Sequence, residues 1–192
     1  MIRRVVGRLL HKGPDGVEVM TSGGVSYELW VPATLLDRLP DVGQEVELHC
    51  ALVAREDSLQ LFGFGSSRDR TLFLRLQNAS GVGPRLALAL LGQLPGDRVI
   101  QAIRGSDHQV LQSVSGVGRK TAERIALELK DRLDDLAVEE AEPLTAGASA
   151  VDALRALGYG QSEAEAAVAR ARRELEGRGT TEELVRAALG HV

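Results

Sequence analysis

The sequence predicts a multidomain α+β chain. A small closed β-barrel would cover residues 1–65, an all-α region 66–133, a flexible acidic linker 134–148 and a three-helix unit 149–192. Three observations lead there. Short β-type apolar runs separated by turns fill the chain up to Gly63-Phe64-Gly65-Ser66-Ser67, and a helical period follows from Arg68 onward. A twelve-residue pattern occurs twice at a constant offset of 35 residues. Charge is also partitioned: residues 1–65 carry 6 basic and 9 acidic side chains, 66–132 carry 11 and 6, 133–150 carry none and 5, and 151–192 carry 6 and 7. A basic middle in a chain of net charge −4 is the footprint of a nucleic-acid contact confined to one part.

The elements follow in order. Apolar runs over 5–10, 17–21, 25–31, 46–54 and 59–64 read as short strands. Gly13-Pro14-Asp15-Gly16, Ser22-Gly23-Gly24, Pro40-Asp41-Val42-Gly43 and Arg55-Glu56-Asp57-Ser58 separate them as turns, and 33–39 reads as one short helix. Five short strands in so small a region suggest an OB-like β-barrel, whose closure hides the edges of the sheet. Beyond residue 68, Leu72, Phe73 and Leu76 share one helical face, Val99, Ile100 and Ile103 a second, and Ile125, Leu129 and Leu133 a third. The stretch 134–148 is small and acidic with little to bury, hence a linker. Helical patterns then cover 150–157, 162–175 and 181–189, and Ser162 with Glu165 and Thr180 with Glu183 fit capping boxes.

Composition excludes several classes. With 44% hydrophobic and 26% charged residues the chain is globular rather than disordered. The single cysteine, Cys50, forbids an internal disulfide and any cysteine-cluster metal site. No apolar run approaches the roughly 18 residues of a membrane span, and Met1-Ile2-Arg3-Arg4-Val5 is not followed by the apolar stretch of a secretory signal. A cytoplasmic, reducing location is expected, with no membrane contact. Aromatic residues amount to 3%, too few for a platform that stacks single-stranded bases. His11, His49, His108 and His191 lack ligand spacing, so no metal and no cofactor is expected.

The repeat carries the chemistry. Leu76-Gln77-Asn78-Ala79-Ser80-Gly81-Val82-Gly83-Pro84-Arg85-Leu86-Ala87 aligns with Leu111-Gln112-Ser113-Val114-Ser115-Gly116-Val117-Gly118-Arg119-Lys120-Thr121-Ala122. Each copy ends one helix and opens another. Its glycines allow a tight turn and a close ligand, while the next helix offers unpaired amides and the positive end of its dipole. Phosphate oxygens suit such a corner. Val82 and Val117 are expected to point inward, and Arg85, Arg119, Lys120 and Arg124 follow the turns as cations. A dinucleotide-binding reading fails for want of a preceding strand and a third glycine. A Walker loop fails because no Gly-x-x-x-x-Gly-Lys-Ser/Thr occurs. The pair resembles the tandem helix-hairpin-helix domains that grip duplex DNA through minor-groove phosphates and read little sequence.

The order of parts resembles one family across the whole chain: RuvA, the Holliday-junction-binding subunit of a branch-migration machine. The resemblance is carried by Arg55-Glu56-Asp57, Leu61-Phe62-Gly63-Phe64, the two glycine turns with Arg85 and with Arg119-Lys120-Thr121-Ala122-Glu123-Arg124, and Ala156-Leu157-Gly158-Tyr159. It implies a homotetramer without catalytic activity that holds a four-way junction open, one or two tetramers to a junction. It implies DNA contact through Gly81, Val82, Gly83, Arg85, Gly116, Val117, Gly118, Arg119, Lys120 and Arg124. Glu56 and Asp57 would form an acidic pin that repels phosphates at the crossover. The last three helices, akin to ubiquitin-associated modules, would engage the RuvB ATPase, with Leu154, Leu157, Tyr159 and Leu189 as contacts, and the RuvC resolvase would join the same complex.

Read without the family, Glu56 and Asp57 are a polar turn between strands, and the tail leucines are equally suited to a core. Other functions compete: a small structural subunit that binds ordinary duplex, or a DNA-processing enzyme of either of two kinds. A two-metal nuclease needs carboxylates converging on metals about 3.5–4 Å apart, and none is obvious near the pin. A glycosylase needs a base pocket and a partner lysine; Asp131, Asp134 and Asp135 instead read as solvated surface at a helix end.

Overall fold

The computed structural model describes residues 2–14, 16–56, 58–133, 135–136, 146–175 and 181–191. They form two compact units, Met1–Ala141 and Glu142–Val192. The first unit opens with β1 (Arg4–Lys12), β2 (Val17–Met20), β3 (Ser26–Leu29), α1 (Ala33–Leu36), β4 (Glu45–Ala54) and β5 (Leu59–Phe64). All neighbouring strands are antiparallel, in the order β3-β2-β1-β4-β5. The sheet curls until its two ends meet. Trp30 donates its amide to the Leu61 carbonyl at 2.9 Å and accepts from the Gly63 amide at 2.8 Å, a parallel bridge that pairs the two edges. Alternation in β1 buries Val5, Gly7 and Leu9, and the same logic turns Val17, Val19, Val46 and Leu48 inward. The expected helix over 33–39 starts at Ala33 as expected but ends at Leu36, the chain continuing through 39 as a turn in which the Arg38 and Leu39 amides donate to the Leu35 carbonyl.

Six helical segments complete this unit: α2 (Ser67–Leu76), α3 (Pro84–Gln93), α4 (Gly96–Arg104), α5 (His108–Gln112), α6 (Arg119–Leu129) and a 3₁₀ turn, Lys130–Arg132. The Ser66 hydroxyl caps α2 by accepting from the Asp69 amide at 3.0 Å, and Asp107 caps α5 from the Val110 amide at 3.1 Å. Each of the three apolar faces expected from the sequence is buried to within 3% exposure.

Barrel and helices share one core rather than standing as separate bodies. The ring of Phe73 on α2 lies 4.9 Å from that of Phe62 and 4.8 Å from that of Phe64, both on β5. These are all the phenylalanines of the chain, and none is more than 1% exposed. Their burial removes them from any base-stacking role. Arg70 adds a polar tie by donating from Nε to the Cys50 carbonyl at 2.5 Å, and the Thr34 hydroxyl donates to the Leu91 carbonyl at 2.7 Å. Burial pushes the Cys50 thiol up to about 12, so it stays protonated and non-nucleophilic at neutral pH.

The start of the expected linker is packed. Leu136 is 8% exposed within the common core, and Asp135 forms a two-pronged ion pair with Arg75 of α2, one arm measuring 2.6 Å. Asp135 is 70% exposed, as expected of solvated acid, and it also ties the chain after α6 back to α2. Arg75 holds the Asp135 carboxyl near pKa 2, below its ordinary 3.8. The depressed value means the pair stabilises the fold above the ordinary carboxylate range and ceases to do so as pH falls through about 2. Asp135→Asn should lower the urea midpoint at pH 7 modestly, and the gap from the parent should close between pH 4 and pH 2; a gap that persists at pH 2 would exclude the ion pair as its cause. Asp134 and residues 137–145 lie outside the described residues.

The second unit holds α7 (Ala146–Ala156), α8 (Gln161–Glu174) and α9 (Thr181–Ala188) around a core rich in alanine: Ala150, Leu154, Ala164, Ala167, Val168, Ala171, Leu184 and Ala188. Small side chains let the three helices approach closely. Gly158, at φ +101°, ends α7: its amide donates to the Arg155 carbonyl at 2.9 Å, and the Tyr159 amide donates to the Leu154 carbonyl at 3.2 Å. The helix start expected at Ser162 lies two residues earlier, and only the carboxylate half of a capping box is present. Gly160 is the N-cap, and Glu163 reaches back to accept from its amide at 3.3 Å, leaving Ser162 within the first turn. Thr180 lies outside the described residues. No helix among them is long and apolar enough to cross a membrane.

Candidate nucleic-acid interface

The two glycine turns join α2 to α3 and α5 to α6, and their backbones are near copies. Gly81 and Gly116 have φ of +86° and +89°, a left-handed conformation that strains any residue with a Cβ. The Val82 amide donates to the Ala79 carbonyl at 3.0 Å, and the Val117 amide donates to that of Val114 at 3.0 Å. Val82 and Val117 are 5% and 6% exposed, inward as expected. They can offer a ligand their main chain only.

The second glycine of each turn behaves differently. Gly83 and Gly118 are N-caps with φ of −88° and −81°, ordinary extended backbone. A Cβ built on either would meet no atom within 4 Å. Nothing inside the protein requires glycine there, and a side chain would only cover the first amides of α3 or α6. Those helix starts are bare. Neither has a side-chain cap, and neither carries an acidic residue in its first turn. At α6 the first turn instead carries exposed Arg119 and Lys120, with Arg124 exposed one turn on. The positive end of each dipole carries no acidic residue from its own helix's first turn.

The cations are held individually. Arg119 donates from Nε to Glu123 Oε1 at 2.9 Å, and this pair keeps the Glu123 carboxyl below its usual range. Arg85 does not simply trail the first turn. Its guanidinium sits over the Trp30 ring, 5.8 Å from the centroid, beside a cleft lined by Pro14, Val31, Ala33 and Leu88. Among the described residues no carboxylate pairs with Arg85.

Two groups escaped the reading of the sequence. Glu128 of α6 accepts from the Ser80 amide at 2.9 Å and from the Ser80 hydroxyl at 3.3 Å. Gln93 of α3 accepts from the Ser115 amide at 3.2 Å through Oε1. Ser80 and Ser115 are equivalent in the repeat, and the spacing of Gln93 and Glu128 is again 35 residues. Extending the alignment past Ala87 and Ala122 would have paired them.

Elsewhere the expectations divide. Glu56 is exposed at the tip of the β4–β5 hairpin, which the Arg55 amide closes on the Ser58 carbonyl at 2.8 Å. Asp57, its expected companion, lies outside the described residues. In the second unit Leu154 is fully buried at the centre of the core, so it is not a surface contact. Tyr159 is half-buried against that core, whereas Leu157 and Leu189 are 63% and 42% exposed. Among the described residues no group of three or more His, Cys, Asp or Glu is placed to hold a metal ion.

A curled five-stranded barrel joined to two helix-hairpin-helix corners of matching backbone defines a tandem helix-hairpin-helix protein with an OB-like domain. Comparison with known proteins narrows the class. Residues 1–63 match the family model for the RuvA N-terminal domain, 73–131 that for the SAM-like helix-hairpin-helix tandem, and 145–191 that for the RuvA C-terminal domain. The Holliday junction branch migration complex subunit RuvA of Gemmatimonas aurantiaca is 45% identical over 171 residues, covering 88% of this chain and 87% of that one. Its namesake from Pseudomonas entomophila is 43% identical over 202 residues, covering 98% and 97%. The chain belongs to the RuvA family.

Proposed function

We propose that the protein is a non-catalytic subunit that binds four-way junction DNA and holds it for branch migration by a partner ATPase. The observation that carries this reading is the pair of vacant glycine positions, Gly83 and Gly118, each opening a helix whose first amides lack both cap and acid. Backbone amides in that arrangement suit a phosphate rail and leave the bases unread. Arg85, Lys120 and Arg124 supply the long-range attraction, and Glu56 with Asp57 supplies repulsion at the crossover. Four copies around one junction would set the hairpins on the arms and the acidic turns at the centre. Leu157 and Leu189, with the edge of Tyr159, are the exposed apolar groups through which the tail would engage RuvB; RuvC would share the assembly.

Gel shifts of the full chain on a four-way junction, a plain duplex and a single strand, each with and without Mg²⁺, test the reading. Tight retardation of the junction alone, with the DNA intact, is the expected result. Equal affinity for duplex would reduce the protein to a general DNA binder, and cleaved or base-free product would make it an enzyme. In the same assay, Glu56→Gln with Asp57→Asn should leave junction affinity equal or higher, since the carboxylates repel; a tenfold loss would show that they bind something.

A further inference from the structure

The two hairpins are tied to one another by matching contacts. Glu128, near the end of the second repeat's helix, holds the turn of the first repeat at Ser80; Gln93, the equivalent residue of the first repeat, holds the turn of the second at Ser115. Each turn is thus fixed by the helix that follows the other. The four residues obey the 35-residue offset, so the contacts are related by the same internal symmetry as the turns. A buried core joins the helices, and among the described residues these are the side chains that reach the amide immediately preceding Gly81 or Gly116.

We propose that Gln93 and Glu128 are positioning residues that clamp the two hairpins to one another, so that both present their amides at the spacing of a single phosphate-lined groove. The inference rests on the phosphate-binding reading of the hairpins and adds to it residues that touch no DNA. Clamping removes the freedom of each turn to rotate about its positive-φ glycine, and binding then costs less ordering. The clamp is symmetric in geometry and asymmetric in charge. At Ser115 the acceptor is a neutral amide oxygen; at Ser80 it is a carboxylate, whose negative charge sits close to the place where a phosphate would lie. Glu128 therefore acts in two opposed senses: its hydrogen bonds favour binding, and its charge opposes it.

That opposition gives a sign test. Glu128→Gln keeps an acceptor oxygen for the Ser80 amide, as Gln93 does for Ser115, and removes the charge. Affinity of the full chain for a synthetic four-way junction should rise about twofold or more, with the salt dependence otherwise unchanged. Glu128→Ala loses charge and clamp together, and Gln93→Ala loses the clamp alone. Gln93→Ala should weaken binding by about twofold to tenfold, the range that one lost hydrogen bond spans, and flatten the dependence of log K on log salt. Glu128→Ala should fall below Glu128→Gln by a similar factor. Glu128 and Ser80 are largely solvent-facing, so melting temperatures should stay close to the parent and exclude misfolding as the cause. Equal affinities for Glu128→Gln and Glu128→Ala, or an unchanged Gln93→Ala, would overturn the clamp. Gly118→Val, measured alongside, separates the two levels: retained binding there sinks the hairpin reading and the clamp with it, whereas lost binding beside an unaffected Gln93→Ala sinks the clamp alone.

Discussion

Gly83→Val combined with Gly118→Val should lower affinity for a four-way junction by roughly 10²- to 10⁴-fold without unfolding the protein. The figure follows from losing one charge-assisted hydrogen bond at each turn, about 1.5–3 kcal/mol apiece. The fold should survive because both positions have ordinary φ and open space around the added carbon. Gly81 and Gly116 provide the contrast: their φ of +86° and +89° would strain any replacement, so variants there lose stability as well as binding. Titration at several salt concentrations distinguishes the outcomes. The double variant should bind with a shallower salt slope, having fewer phosphates engaged. A double valine variant that binds the junction normally would mean that the open corners face no ligand.

Phe73→Ala should cost about 3–5 kcal/mol of unfolding free energy, the usual toll for deleting a fully buried aromatic ring. The Phe73 ring packs against both aromatic rings of β5, so its loss opens a cavity at the joint between barrel and hairpins. Urea unfolding followed by circular dichroism would measure the cost. The transition should also lose cooperativity, since the barrel strands and the hairpin helices would no longer melt together. A cost below 1 kcal/mol with a single sharp transition would show that the Arg70 and Thr34 ties suffice to join the two.

Much of this architecture was legible in the chain itself because local periodicity was strong. The five strands lie where alternation puts them, and the three helical faces beyond Arg68 are buried as their spacing required. The turns could be read because glycine, small residues and valine recur at a constant offset, and a conformation that only glycine tolerates leaves glycine as its trace. The errors share a cause. Leu154 looked like a contact and is core, because a helical stripe does not say which of its leucines faces the other two helices. The helix start at Gly160 was missed because glycine caps without a side chain to announce it. Asp135 is exposed, as a solvated acid should be, but its pair with Arg75 went unseen because the two lie 60 residues apart.

Residue order alone determined the strand and helix alphabet of this protein, the basic middle and the paired glycine corners, since each depends on neighbours within a turn or a short strand. Tertiary structure decided the rest. It set the three phenylalanines as the joint, put Arg85 over Trp30, closed the barrel through Trp30 and crossed Gln93 and Glu128 between the hairpins. Each of these joins residues far apart in the chain, and such contacts form only when hydrophobic burial has brought whole elements together.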